Sequence, residues 1–532
     1  MAGIWMTTSE AAEHLGISVS TLYRMEKRGQ VSPIRTTGGQ RRFKKEELNK
    51  YLLASEKRQS PCNPREYVAS DEEPPVVEDT RTPFLFEVQD NVDGLIASLK
   101  SKEFGDTVAS PQQYHLGNSV RDWLDEWDFK KSNTKFYTHG FHTYPAMFIP
   151  QVARKILLEF SREHQQVLDP FCGSGTTLVE SKLLNRHATG VELNPLAVLM
   201  AEVKTTPIET ERLLEALSNI LQRYSENGNG DVSLPDFKNR TFWFSEKISI
   251  EIARVLEAIC QCPDERIQKF FKVCLSEIIR EVSFTRHGEF KLFRDPKKIS
   301  GDFSPDVLHK FFQKSIHNIR GMAEFAGAIG EGSSTTAKVI HGDAREQHMP
   351  DSSVDLILTS PPYGDSRTTV AYGQFCRLPA QWFGLPERYT TKLDSLLLGG
   401  SKNNEQQKKL FARSQTLESI YCSIREKDEK RSAEVFSFYS DFLKCMEWLA
   451  TALRPLGHMV FVVGNRTVKG IVTRMDTILL EMAETLDLNP KALLYRSIPN
   501  KRMPSKNSPT NIKGAKSKTM TRESIVILQR PG

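Results

Sequence analysis

Two consecutive prolines, Pro361 and Pro362, follow an apolar run at residues 354–358 and constrain the fold more than any other feature of the chain. Neither proline has a backbone N–H and both have a fixed φ, so a strand over the apolar run must end there and continue as a rigid loop. This loop, TSPPYG at residues 359–364, would present a hydroxyl, backbone carbonyls and an aromatic ring at the carboxyl edge of a sheet, where α/β folds bind ligands. Taken alone, the loop is explained equally well as a turn that ends a strand.

A glycine-rich turn lies upstream, in the segment VLDPFCGSGTT at residues 167–177. A short apolar strand ends there at Asp169, and a helical pattern follows at residues 178–184. Gly173 and Gly175 permit positive φ and let a ligand approach the backbone at a helix N-terminus, where N–H groups are unsatisfied. The turn has neither the GxGxxG spacing of a dinucleotide site nor the Gly-Lys-Ser/Thr ending of a P-loop.

Two more predicted strands lead into acidic residues. The segment TGVELNP, at residues 189–195, places Glu192 about twenty residues after Asp169, where doubly wound folds bind ribose hydroxyls. The segment KVIHGDA, at residues 338–344, offers Asp343 at the same edge. Any one of these acids could be a helix N-cap or a surface charge. Together with the TSPPYG loop, they predict a ligand site at the edge of a sheet.

These motifs resemble those of the S-adenosylmethionine-dependent DNA amino-methyltransferases, which modify the exocyclic N4 of cytosine or N6 of adenine. The resemblance is carried by DPFCGSGTT, GVELNP and LTSPPYG, and it extends over residues 130–530, interrupted by inserts. Residues 138–150 resemble the cofactor-flanking motif of the family, and other similar stretches lie at residues 453–465, 498–504 and 507–510. The resemblance implies an α/β fold, with a Rossmann-like S-adenosylmethionine-dependent methyltransferase sheet and helical inserts.

The resemblance also implies a role for each motif residue. An aromatic amine is a poor nucleophile, and hydrogen-bond acceptors that favour a pyramidal nitrogen stabilise the transition state. The Ser360 side chain and the Pro361 carbonyl would be these acceptors, with Pro362 in the same rigid loop, and Tyr363 would stack on a base flipped out of the duplex. Since the methyl donor is a sulfonium, neither a metal nor a covalent intermediate is required. The residues implied to bind S-adenosylmethionine are Asp169, Phe171, Gly173, Gly175, Glu192, Asp343, His142 and Pro145.

Within this resemblance, one residue bears on which base is methylated. Serine before Pro-Pro-Tyr, as at Ser360, favours the N4 amine of cytosine, whereas aspartate or asparagine favours the N6 amine of adenine. Methylation of cytosine C5 would instead need a nucleophilic cysteine, usually in a Pro-Cys-Gln context. The single Pro-Cys pair, Pro61-Cys62, is followed by Asn63 in a polar stretch, so we reject that reaction.

The N-terminus predicts a separate DNA-binding module. Residues 6–26 indicate a helix, a tight turn at Gly16 and a second helix, and a basic segment follows at residues 35–43. The module resembles the helix-turn-helix with a basic wing of MerR-type and excisionase-type proteins, whose second helix would enter the major groove. The alternative is a small protein-interaction module with a solvated basic face. The residues expected to bind DNA are Ser20, Thr21, Arg24, Arg41 and Arg42.

Composition divides the chain into three parts. We assign residues 1–54 to a winged helix-turn-helix domain, residues 55–82 to a flexible linker rich in Ser, Pro, Glu and Asp, and residues 83–532 to the methyltransferase domain. Within the last, residues 208–330 predict a helical insert, and residues 386–436 predict a target-recognition insert or a mobile loop. Two basic tracts would suit contact with DNA: Arg280, Arg286, Lys291 and Arg294, interleaved with phenylalanines, and a C-terminal tract that begins at Arg496.

The net charge of +6 permits a nucleic-acid partner without requiring one. Eight cysteines without a CxxC pair, no signal peptide and no long apolar span indicate a reducing bacterial cytoplasm and no membrane partner. The expected partners are double-stranded DNA and a cognate restriction or defence nuclease. Two other functions stay open. An RNA methyltransferase acting on a guanine amine is disfavoured by the helix-turn-helix, and a non-catalytic DNA-binding regulator is disfavoured by the intact motifs.

Overall fold

The computed structural model describes residues 5–8, 11, 26, 31, 33–35, 41–44, 127–129, 132–226, 232–286, 288–330, 332–364, 369–400, 410–498, 506–507, 517–518 and 520–532. The chain divides into two compact units, residues 1–80 and residues 81–532, and the division falls within the predicted linker. In the described ranges, no helix is both long and apolar enough to span a membrane.

The first unit contains a small antiparallel sheet. Its strands are β1 Trp5–Met6, β2 Ile34–Arg35 and β3 Arg41–Lys44, with β3 in the middle. Phe43 is buried while the other residues of β3 are half-buried, because only one face of the strand packs on a core. Strands β2 and β3 pair over the residues where the sequence predicts a wing. Most of the predicted helix-turn-helix lies outside the described residues.

The second unit is built on a mixed sheet. Its strands are, in chain order, β4 Gln166–Asp169, β5 His187–Glu192, β6 Ala337–His341, β7 Val354–Thr359, β8 Leu453–Val463, β9 Thr467–Val468, β10 Ile471–Val472, β11 Asn489–Ser497, β12 Lys506–Asn507, β13 Ser517–Lys518 and β14 Arg522–Gln529. Seven of them form one sheet in the order β11-β14-β8-β7-β4-β5-β6. Neighbours from β8 to β6 are parallel, and β14 is antiparallel to both β8 and β11. The predicted α/β, Rossmann-like sheet is confirmed.

The strand order reverses between β4 and β7. From β4 the chain continues to β5 and β6 on one side, and it then returns to form β7 on the other side of β4. In open α/β sheets, ligands bind in the crevice at such a reversal, at the carboxyl ends of the strands. The glycine-rich turn follows β4 and the TSPPYG loop follows β7, so the topology brings both motifs to this crevice.

Helices cover both faces of the sheet. They are, in chain order, α1 Pro150–Phe160, α2 Thr176–Leu183, α3 Pro195–Thr205, α4 Thr210–Glu226, α5 Arg240–Trp243, α6 Glu246–Cys260, α7 Glu265–Val282, α8 Pro296–Ser300, α9 Val307–Ile329, α10 Tyr372–Trp382, α11 Glu387–Thr390, α12 Leu393–Leu396, α13 Gln415–Arg425, α14 Glu429–Ala452 and α15 Met475–Glu484. Because alternate residues of a strand point to opposite faces, Val460 and Val462 of β8 pack with α1, whereas Met459 and Phe461 pack with α13, α14 and α15. This two-sided burial explains why the central strands are apolar almost throughout.

The two predicted inserts are both largely helical. Helices α4 to α9 fall within residues 208–330 and pack around the fully buried Phe270, Phe271 and Phe311, in a core that they share with α3 and α10. Residues 386–436 contain α11 to α13 and the beginning of α14, and Leu417 in α13 is completely buried. Helix α13 packs against α14, α15 and β10, and the predicted bound at residue 436 falls inside α14.

Candidate active site

The turn after β4 depends on two glycines in left-handed conformations. Gly173 has a φ of +50° and Gly175 has a φ of +86°. Gly175 is the N-cap of α2, and a Cβ on it would stand 2.9 Å from the Cβ of Ala201 in α3. Glycine at residue 175 therefore allows the start of α2 to pack closely against α3, and the loop folds back at the edge of the sheet.

Asp169 joins the two motifs that the topology brings together. Its Oδ1 accepts hydrogen bonds from Thr359 Oγ1 at 2.7 Å and from the Phe171 backbone N–H at 3.1 Å, and its Oδ2 accepts one from Thr177 Oγ1 at 2.6 Å. The carboxyl is 3% exposed, and this burial raises its pKa to about 6. Asp169 thus fixes the glycine-rich turn to the last residue of β7, directly before Ser360.

Glu192 lies at the end of β5 and is bound by backbone groups. Its Oε2 accepts a hydrogen bond from the Gly173 N–H at 3.0 Å, and its Oε1 accepts one from the Asn194 N–H at 2.7 Å. Burial is the main reason that its pKa rises to about 7. Each carboxylate oxygen has a further lone pair, so Glu192 can still accept hydrogen bonds from a ligand.

A cavity of about 910 Å³, partly open to solvent, lies at this edge of the sheet. Its walls are mainly apolar, and carboxyl groups stand among them, which is the usual composition of a small-molecule site. The lining brings together most of the residues that the sequence singled out for catalysis and cofactor binding: Pro145, Asp169, Phe171, Gly173, Glu192, Asp343, Ser360 and Pro362.

One wall of the cavity comes from a segment that the sequence placed in the 386–436 insert. Leu396, the last residue of α12, lines the cavity together with Leu397 and Leu398. Arg345 positions them, because its guanidinium donates to the Leu396 carbonyl at 2.6 Å and pairs with Asp343. The sequence signal for this wall was the apolar run at residues 396–398 inside an otherwise polar stretch.

The remaining predicted residues lie outside the cavity lining. Gly175 is the N-cap of α2. Pro361 is buried, whereas its neighbours in the chain, Ser360 and Pro362, are half-buried. His142 is also buried, which lowers its pKa, and its Nδ1 lies 2.6 Å from the Thr143 carbonyl and 3.1 Å from Glu277 in α7. In the structure, His142 thus joins the cofactor-flanking motif to the helical insert.

Tyr363 is not among the residues that line this cavity, and its stacking on a flipped base stays a prediction. It lines a smaller one of about 200 Å³ together with Phe438, Tyr439 and Arg466. Its hydroxyl donates to Glu523 Oε1 at 2.9 Å and lies 3.4 Å from Ser360 Oγ. Gly464 makes room for the ring, since a Cβ there would be 2.7 Å from Tyr363 Cδ2.

Sequence reasoning did not single out three polar and aromatic residues of the cavity. Tyr144 and Tyr372 face each other with ring centroids 5.7 Å apart and planes inclined by 31°. Asn194 is the N-cap of α3 and donates to the Tyr144 hydroxyl at 3.1 Å. Tyr144 and Asn194 lie in segments already assigned to motifs, and Tyr372 is the first residue of α10, shortly after the TSPPYG loop.

The residues expected to bind DNA are mostly beyond what the structure describes. Ser20, Thr21 and Arg24 lie outside the described residues. Arg41 pairs with Glu26 at 2.9 Å, and Arg42 lies beside it in β3. The prediction that Arg496 contacts phosphates is wrong, because Arg496 is 2% exposed and donates to the Trp127 carbonyl and to Glu523.

Comparison with known proteins agrees with this geometry. Residues 43–203 match the model of a DNA methylase family, and residues 5–55 match the model of a helix-turn-helix domain. The type II methyltransferase M.MvaI of Kocuria varians is 38% identical over 435 residues, which are 78% of this chain and 96% of that protein. The chain belongs to the type II DNA methyltransferases. A more distant type II methyltransferase is M.MjaII of Methanocaldococcus jannaschii. It is 23% identical over 335 residues, which are 46% of this chain and 62% of that protein.

Solved structures resemble the methyltransferase only distantly. TrmN from Thermus thermophilus has a TM-score of 0.25 and 10% identity, over 72% of this chain and 49% of that chain. The rRNA methyltransferase aviRa from Streptomyces viridochromogenes has a TM-score of 0.25 and 11% identity, over 73% of this chain and 88% of that chain.

The cofactor of the methyltransferase is S-adenosylmethionine, and the residues that line the cavity fit it in their chemistry. Apolar walls such as Phe171 and Leu397 suit an adenine ring, and the carboxylate of Glu192 suits ribose hydroxyls. The acidic edge formed by Glu192 and Asp343 also suits a ligand that carries positive charge. Among the described residues, no three His, Cys, Asp or Glu side chains come together as metal ligands would.

Proposed function

We propose that this methyltransferase modifies the exocyclic N4 amine of cytosine at a specific site in duplex DNA. The observation that carries the proposal is the position of Ser360, which lines the same cavity as Glu192, Asp343 and the glycine-rich turn. A hydrogen-bond acceptor beside the cofactor cavity is what the methylation of an amine requires. Serine at this position of the loop is the feature that favours cytosine over adenine.

We propose that the chain acts mainly by orienting the amine. When bound, S-adenosylmethionine supplies a methyl group made electrophilic by its sulfonium. Ser360 Oγ and the Pro361 carbonyl accept hydrogen bonds from the two amine hydrogens and favour a pyramidal nitrogen, which is the form present in the transition state. Pro361 and Pro362 keep these acceptors rigid, so little reorganisation is needed.

We propose that Glu192, Asp343, Phe171, Gly173 and Pro145 hold the cofactor, because all of them line the cavity. Asp169, Gly175 and His142 contribute indirectly. Asp169 ties the two loops together, Gly175 allows the tight turn, and His142 anchors the cofactor-flanking motif.

We propose that DNA is contacted by residues 285–294, a basic hairpin closed by the bridge between Thr285 and Arg294. Arg280 fixes the hairpin in place, since it donates to the Glu289 carbonyl at 2.6 Å and lies 4.5 Å above the ring of Phe375 in α10. Helix α10 begins at Tyr372, at the cavity wall, so the hairpin is joined to the site.

We also propose that residues 1–54 bind duplex DNA and that residues 55–82 tether them to the methyltransferase domain, residues 83–532. The match to a helix-turn-helix domain supports this arrangement. A tethered module raises the effective concentration of the catalytic domain at DNA without taking part in the chemistry. A cognate restriction or defence nuclease is the further partner that we propose for a type II methyltransferase.

The test is to incubate the purified protein with S-adenosylmethionine and duplex DNA and to analyse the digested nucleosides by mass spectrometry. The proposal predicts N4-methyldeoxycytidine. N6-methyldeoxyadenosine would instead assign the adenine amine, the alternative for the same acceptors. If only transfer RNA or ribosomal RNA is methylated under the same conditions, the assignment of DNA as substrate is wrong.

A further inference from the structure

Glu523 lies behind Tyr363 and is not part of any motif assigned above. It is in β14 and pairs in register with Arg496 in β11. Its Oε1 accepts the hydrogen bond from the Tyr363 hydroxyl at 2.9 Å, and its Oε2 accepts a short one from Arg496. Arg496 is 2% exposed and also donates to the Trp127 carbonyl at 3.1 Å. The carboxyl of Glu523 is therefore held between a tyrosine and a buried arginine.

This arrangement fixes the direction of the hydrogen bonds. A carboxylate paired with arginine can only accept, and arginine can only donate. The Tyr363 hydroxyl must therefore donate its hydrogen bond to Glu523. Burial beside this carboxylate raises the pKa of Tyr363 well above its usual value, so the proton stays on the tyrosine. The lone pairs of the Tyr363 oxygen are then free for its other neighbour, Ser360 Oγ, 3.4 Å away.

The direction of these hydrogen bonds also determines what Ser360, the proposed acceptor for the amine, can do. If Tyr363 accepts, Ser360 must donate to it, and the lone pairs of Ser360 Oγ are left for the cavity. The Ser360–Tyr363 distance is long for a strong hydrogen bond, but catalytic hydrogen bonds often tighten only when the substrate is bound. Without this constraint, the serine hydroxyl could turn its proton toward the substrate and repel the amine hydrogens.

We propose that Glu523 is a positioning residue that makes Ser360 an acceptor by setting the direction of the chain Ser360 to Tyr363 to Glu523. The inference rests on the proposed function, because it concerns how the target amine is held. It adds a residue from the antiparallel strand β14 to the machinery of the TSPPYG loop.

The substitution Glu523→Gln separates this role from a merely structural one. The amide keeps the shape of the side chain, but Arg496 requires its oxygen, so the NH₂ group turns to Tyr363. Tyr363 then accepts from residue 523 and donates to Ser360, which reverses the chain. We expect kcat to fall about 100-fold, at the lower end of the range for losing one transition-state hydrogen bond, with an unchanged KM for DNA and an unchanged Kd for S-adenosylmethionine.

The decisive readout is rescue by Tyr363→Phe. This substitution keeps the ring and removes the hydroxyl that transmits the reversal. We expect the double variant Glu523→Gln/Tyr363→Phe to have a higher kcat than Glu523→Gln alone, and equal to that of Tyr363→Phe. A loss of fold or of packing would instead be inherited by the double variant.

The matched control is Asp355→Asn, which alters another carboxylate that pairs with arginine, at the opposite end of β7. We expect it to retain the wild-type kcat. Wild-type kcat in Glu523→Gln, or additive losses in the double variant, would overturn the inference while the wild-type protein still methylates DNA. A wild-type protein that does not methylate DNA would overturn the proposed function, and the inference with it.

Discussion

At the scale of single residues, burial decides the charge of the site. Asp169 is 3% exposed and its pKa rises from 3.8 to about 6. Between about pH 4 and pH 6, the Asp169 carboxyl is therefore protonated in the folded state but ionised in the unfolded state. The contribution of Asp169 to stability is full below pH 4 and is lost as the pH rises through 6. Glu192, whose pKa rises to about 7, acts in the same direction.

The raised pKa of Asp169 predicts how the stability of the protein depends on pH. For the protein without ligand, we expect the free energy of unfolding to fall between pH 4 and pH 7, with Asp169 contributing on the order of 3 kcal/mol. The variant Asp169→Asn does not titrate and should show a smaller fall. Urea unfolding of both proteins across this range tests it. The same pH dependence in wild type and variant would show that Asp169 is not responsible.

A second residue-scale prediction concerns the glycine-rich turn. In Gly175→Ala, left-handed strain and overpacking against Ala201 should each cost about 1–3 kcal/mol. Gly288→Ala is the matched control, because its φ of +81° is similar but nothing lies within 4 Å of the added Cβ. Urea unfolding should show a larger loss for Gly175→Ala. Equal losses would mean that the close approach of α2 and α3 does not matter.

At the scale of elements, the basic hairpin at residues 285–294 gives the third prediction. Arg286 and Lys291 are exposed on it, and Arg280 fixes it beside α10. Replacing Arg286 and Lys291 by alanine should weaken DNA binding. It should also reduce the steepness with which the logarithm of the binding constant falls with the logarithm of salt concentration by about 2, since each cation at a phosphate contributes about one. Fluorescence anisotropy at several salt concentrations measures both quantities.

The control for the hairpin uses the other end of α7. Arg212 and Arg266 are also exposed, and both pair with Asp264 at the start of that helix. Arg266 is separated from Arg280 by about 21 Å along the helix axis. Replacing Arg212 and Arg266 by alanine should leave the salt dependence unchanged. If both double variants lose affinity equally, the hairpin has no special role.

Elements also show how far sequence reasoning reaches. Asp169, Glu192 and Ser360 could be located because each follows a strand, and the carboxyl ends of parallel strands meet at one edge. Leu397 could not be assigned to the cavity from the apolar run at residues 396–398 alone, because its place there depends on the contact between Arg345 and the Leu396 carbonyl. The hydrogen-bond partner of the Tyr363 hydroxyl could not be located either, because Glu523 lies 160 residues later in the chain. Arg496 was misassigned because a basic residue in a basic tract looks exposed unless its partner strand is known.

At the scale of the whole molecule, we propose that the first unit binds DNA and the second carries out the chemistry. We expect deletion of residues 1–54 to weaken DNA binding and to raise KM for DNA, while kcat at saturating DNA is unchanged, because a tethered module changes effective concentration and not chemistry. Anisotropy and steady-state kinetics on the same duplex measure this. Unchanged affinity in the truncated protein would contradict the tethering role.

The central claim, that Ser360 carries methylation of a base amine in duplex DNA, is tested most directly by single-molecule sequencing of genomic DNA. Cells that express the protein are compared with cells that express Ser360→Ala. We predict one sequence motif that carries N4-methylcytosine only with the unaltered protein. The absence of a modified motif, although the purified protein binds S-adenosylmethionine, or an equal level of modification with Ser360→Ala, would contradict the claim.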